Sequence, residues 1–167
     1  FPRNVGHIPI FDNKKSTGRP SSNPGQVFYS HHTDVSNLPL YPFGHGLSYT
    51  DFTYSDLTIS SNEMNSLDTL SVGVTIENSG TVVGDEIVQL YISDLFSSVT
   101  PPVIALKGFK RITLVPGEQK KVVFNIHIKH LGFYDSQNKF VVEPGEFDVL
   151  IGPSSAELIK ERFKLIN

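Results

Sequence analysis

From about residue 47 onward, apolar side chains recur every second position, in runs too short for helices. "LSVGVTIEN" places Leu70, Val72, Val74 and Ile76 on one face. "KKVVFNIHI" does the same with Val122, Phe124, Ile126 and Ile128. "FTYSDLTIS" alternates Phe52 and Tyr54 with Thr53 and Ser55. A period of two is the spacing of a half-buried strand, because successive side chains point to opposite sheet faces. "EIVQLYIS" is apolar on both faces, with Val88, Leu90 and Ile92 on one and Ile87, Gln89 and Tyr91 on the other. The further runs "VIALKGFKRITL", "FYD", "KFVVE", "EFDVLIG" and "ELIKERFKL" are punctuated by Pro116-Gly117 and Pro144-Gly145. The Glu/Lys content of the last run would also suit a short helix, but a sandwich needs its closing strand there. Short strands separated by turn signals every ten to fifteen residues predict an all-β, antiparallel sandwich of seven to nine strands.

Residues 1 to about 40 do not follow that pattern. They hold one apolar stretch, Val5 to Phe11, then the polar run "DNKKSTGRPSSNPGQ", with prolines at 2, 9, 20 and 24. So little apolar surface does not offset the entropy of ordering it, and this segment builds no core by itself. Val5 to Phe11 reads as a lone strand in need of a sheet, with Pro9 confining it to an edge or a strand end. The opening "FPRNVGHIPIF" reads like a piece of something longer. An unpartnered strand of this kind is expected to be disordered, to lie on the sandwich, or to pair with another copy.

Composition narrows the chemistry. The net charge is −3, with no basic run, so a nucleic-acid or anionic-membrane surface is not indicated. There is no cysteine, which removes disulfides and thiolate metal sites. No apolar run approaches the ~18 residues of a membrane-spanning helix. "GHGLSY" at 44–49 begins like a dinucleotide fingerprint. Tyr49 stands where its third glycine belongs, and a strand follows in place of the helix that would hold the pyrophosphate. His31 and His32 are adjacent, and His127 and His130 are three apart, with no carboxylate at ligand spacing. Glu143, Glu146 and Asp148, like Asp85 and Glu86, fit the solvent face of a sheet better than the paired carboxylates of a glycosidase. The loop from Asp135 has Phe140 where a calcium loop requires glycine. No catalytic set, metal site or cofactor site is expected.

The densest aromatic stretch is "LPLYPFGHGLSYTDFTYSDL", residues 38–57, where the linker meets the first long strand. Tyr41, Phe43 and Tyr49 are candidates for packing a joint between domains, with Gly44 and Gly46 letting the backbone turn between the rings.

Over its whole length the chain resembles the C-terminal end of glycoside hydrolase family 3 enzymes, the β-glucosidase and β-xylosidase family. The resemblance is carried by "FPRNVGHIPIF", "TGRP" at 17–20, "LYPFGHGLSYTDFTYSDL" at 40–57 and "VTIENSG" at 74–80. It continues through "GDEIVQLYISD" at 84–94, "LKGFKRITLVPGEQKKVVFNI" at 106–126, "LGFYD" at 131–135 and "VEPGEFDVLIGPSS" at 142–155. Departures are modest, such as His45 where the family most often has Tyr and Ala105 in place of a more usual Glu. The resemblance implies a parent of three parts: a barrel, an α/β sandwich domain and a fibronectin type III-like, immunoglobulin-like sandwich. Residues 1–40 would be the tail of the α/β domain and its linker, and 41–167 the fibronectin type III-like domain. The parent would be a retaining β-glycosidase, acting on β-linked sugars through a covalent intermediate. Its nucleophile Asp and acid/base Glu would both lie upstream of Phe1, so no catalytic residue carries over. The family also implies an extracytoplasmic location, periplasmic or secreted. The competing reading is a stand-alone carbohydrate- or surface-binding sandwich, against which the absence of Trp counts, since Trp is the best stacking platform for a sugar.

Overall fold

The computed structural model describes residues 1–6, 12–15 and 35–166. Among these residues ten strands run in chain order: β1 (Phe52–Ile59), β2 (Glu63–Met64), β3 (Thr69–Asn78), β4 (Gly84–Asp94), β5 (Ala105–Leu114), β6 (Gln119–His127), β7 (Phe133–Tyr134), β8 (Phe140–Val141), β9 (Gly145–Gly152) and β10 (Ile159–Leu165). One sheet has the order β1-β3-β6, the other β2-β10-β9-β4-β5, and β7 and β8 form a separate small hairpin. All pairings are antiparallel except the two-residue contact of β2 with β10. Seven strands are long. The other three have two residues each, too short for any alternation to show in the sequence. The C-terminal run is a strand over Ile159–Leu165, as expected, and pairs with β9 residue for residue from Ile159↔Ile151 to Leu165↔Gly145.

The core lies between the two sheets. Leu70, Val72, Val74 and Ile76 of β3 and Val122, Phe124 and Ile126 of β6 face Val88, Leu90 and Ile92 of β4 and Phe147, Val149 and Ile151 of β9. Phe147 and Phe163 stack with centroids 5.6 Å apart. The turn between β5 and β6 crosses from one sheet to the other. Gly117 has φ 75°, and the Glu118 N–H donates to the Val115 carbonyl at 3.0 Å. This is the position at which a tight turn after proline favours glycine. Asn78, at the end of β3, is fully buried and ties the turns at this end together.

The lone strand expected at Val5 to Phe11 lies largely outside the described residues, and so do His31 and His32. Val5 and Gly6 lie in a turn. The described parts of the N-terminal region rest on the sandwich. The Phe1 ammonium donates to the Tyr41 carbonyl at 3.1 Å, and the Val103 N–H to the Lys14 carbonyl at 2.9 Å.

Candidate functional site

The segment 38–46 runs onto the outer face of the five-stranded sheet and turns there. The His45 N–H donates to the Pro42 carbonyl at 3.1 Å, closing a β-turn with Gly44 at φ 78°. A Cβ at Gly44 would come within 2.1 Å of the Gln89 Oε1, so the site demands glycine for space as well as conformation. The Ser155 N–H donates to the Phe43 carbonyl at 2.9 Å and pins the turn to the β9–β10 loop.

Beside this turn opens a groove of about 650 Å³. Phe1, Tyr41, Phe43, Val103 and Leu158 supply much of its apolar wall, and Asp12, Lys14 and Ser155 add polar groups. Phe1 and Tyr41 meet edge to face at 6.3 Å, and Tyr41 lies against His45 at 5.1 Å. Tyr41 remains 50% exposed and Phe43 44%, so about half of each ring has no cover among the described residues. Of the five candidates, Tyr41, Phe43 and Gly44 come together in one turn. Gly46 has open space around it, and Tyr49 is fully exposed and does not line the groove.

Sequence reasoning missed Gln89 and Tyr91, which lie beneath the turn, 5% and 0% exposed. The signal was a glutamine inside the apolar run "EIVQLYI", which needs partners if both faces are covered. The Gln89 Nε2 donates to the Gly44 carbonyl at 3.1 Å and to the Pro153 carbonyl, while the Tyr91 hydroxyl donates to the Gln89 Oε1. Burial, with a smaller contribution from the charge of Asp12, pushes the Tyr91 phenol up to about 12.

The remaining polar candidates are engaged in structure. Asp148 accepts from Arg162 and Lys160, and Glu146 from Arg162. Asp85 accepts from Arg111 and Thr113. Glu86 accepts the Tyr54 hydroxyl at 2.6 Å, bridging the two sheets, and burial raises both groups above their ordinary values. Glu143 accepts the Ser98 N–H at 2.9 Å. His127 and His130 do converge at the end of β6. The His127 backbone N–H donates to the His130 Nδ1 at 3.1 Å, and the His127 Nδ1 lies 3.0 Å from the Thr69 hydroxyl. Among the described residues no group of three or more His, Cys, Asp or Glu side chains is placed to hold a metal ion. No helix there is long and apolar enough to cross a membrane.

Residues 86–155 match the fibronectin type III-like domain family. The chain is 45% identical to a periplasmic β-glucosidase of Salmonella typhimurium, over 99% of this chain and 22% of that protein. It is 42% identical to a putative β-xylosidase of Formosa agariphila, over 98% of this chain and 20% of that protein. It superposes on a crystal structure of β-glucosidase from Listeria innocua in complex with isofagomine with a TM-score of 0.90 at 36% identity. That superposition covers 99% of this chain and 23% of the other. The chain thus spans about a fifth of the length of these relatives.

Proposed function

The chain corresponds to the C-terminal, fibronectin type III-like portion of glycoside hydrolase family 3 β-glucosidases and β-xylosidases, and from that premise we propose that it braces a larger retaining β-glycosidase. Cleavage of the β-linked sugar is the work of residues outside this chain, in the barrel and α/β domains of the parent. The role of residues 38–46 is to present a surface to those domains. Residues 1–40 belong to the end of the α/β domain and its linker, and the parent acts outside the cytoplasm, as the periplasmic relative does.

One observation carries the reading: half-covered Tyr41 and Phe43 stand in an open groove where residues 1 and 38–43 meet. A surface that exposes contiguous rings, rimmed by polar groups, is built to be covered. The surrounding backbone is tied down, so the rings are presented in fixed positions.

The test has two arms. The purified chain, given a chromogenic β-glucoside, is expected to show no turnover; measurable turnover that copurifies with it would overturn the proposal. In the full-length enzyme, Tyr41→Ser with Phe43→Ser is expected to separate the melting of this domain from the rest. A single unshifted transition in that variant would remove the joint from these rings.

A further inference from the structure

We propose that Gln89 and Tyr91 form a seat on the outer face of β4 for the Pro42–His45 turn, so that residues 42–45 belong mechanically to the sandwich. This goes beyond the bracing role and stands on the geometry of the sheet alone.

The side-chain amide of Gln89 has two donor hydrogens and one carbonyl oxygen, and each is used. The donors reach the Gly44 and Pro153 carbonyls, one on the turn and one on the β9–β10 loop. The acceptor takes the Tyr91 hydroxyl. Tyr91 is two residues along the same strand, so its ring lies beside Gln89 on the outer face and its hydroxyl fixes which way the amide points. Neither side chain faces the core, which β4 builds with Val88, Leu90 and Ile92. Both are nevertheless buried. If the turn lifted away, the amide would lose the Gly44 acceptor and the Phe43 carbonyl would lose the Ser155 N–H. Those groups sit in a half-dry site, so the turn is held by the cost of leaving them unpaired. Gly44 completes the fit, because any Cβ there would occupy the volume of the Gln89 amide.

Hydrogen exchange on the full chain tests this, read at the Ser155 and His45 amides, whose partners are the Phe43 and Pro42 carbonyls. In Tyr91→Phe and Gly44→Ala these amides are expected to exchange about tenfold faster, as loss of one buried hydrogen bond implies. Gln89→Leu should exceed both. The core amides of Val72, Val74 and Ile92 open on global unfolding, which also breaks this contact, and should quicken by a comparable factor in Tyr91→Phe. Rates at Ser155 and His45 that match wild type in Tyr91→Phe would overturn the proposal. A rise confined to the core amides, absent at Ser155 and His45, would make Tyr91 a general stability residue and overturn it equally. If Gln89→Leu fails to fold, the milder Tyr91→Phe and Gly44→Ala variants still decide.

Discussion

Asn78 is fully buried, and its side-chain amide makes four hydrogen bonds. Nδ2 donates to the Val82 and Leu114 carbonyls at 2.8 and 2.9 Å, and Oδ1 accepts from the Thr50 hydroxyl at 2.6 Å and the Gly80 N–H at 3.1 Å. One side chain thereby fastens the start of β1, the β3–β4 turn and the end of β5. Asn78→Ala leaves several of these groups buried and unpaired and is expected to cost about 2–3 kcal/mol, read by urea unfolding. Asp148 is the second residue with a defined outcome. It is 5% exposed, and the Arg162 guanidinium, with Lys160 beside it, holds its carboxyl below the ordinary range despite burial. The unfolded chain therefore takes up this proton more readily than the folded one. The stabilisation is complete above the ordinary value of about 3.9 and is lost as pH falls through the lower folded value. Asp148→Asn should flatten that acid limb. Both cations are half exposed, so the neutral-pH cost is only about 1 kcal/mol. Denaturant titrations at neutral and acid pH check both points.

At the scale of elements, β4 decides the layout, because its central stretch is covered on both faces: one by the core, the other, at Gln89, by the 42–45 turn. Next to it, β9 ends at Gly152, where an added Cβ would lie 1.8 Å from the Glu157 carbonyl oxygen. That atom is backbone and cannot rotate aside, so Gly152→Ala is expected to cost about 2–3 kcal/mol and to lower the melting temperature. The β6–β7 connection depends on a neutral histidine. His130 accepts the His127 N–H through Nδ1, and its pKa is lowered first by burial and then by the charges of Lys129, His127 and Lys107. A base with a lowered folded pKa loses its stabilising contact as pH falls below the ordinary histidine value of about 6.5. Exchange at the His127 and Leu131 amides should therefore quicken below that pH, and His130→Phe should exchange fast at every pH.

Over the whole molecule, alternation alone made the sandwich and most of its core legible, because a strand with one buried face cannot hide its period. Leu70 through Ile76 and Val122 through Ile126 turn inward as their spacing requires. The glycine-rich turns were legible too, since positive φ at Gly44 and Gly117 leaves few other residues. The three two-residue strands were not, being shorter than any period. The aromatic stretch could be read only as a cluster: composition gave five rings between 38 and 57 but not their directions. Tertiary structure separated them, sending Phe52 and Tyr54 against the core, Tyr41 and Phe43 to the groove, and Tyr49 into solvent. It also turned Gln89 from an odd polar residue in an apolar strand into the anchor of the turn. Local periodicity is written in neighbouring residues. Which outward-facing side chains are covered depends on segments 45 to 64 positions away, as the Gln89 contacts to Gly44 and Pro153 show, and only the folded chain brings those together.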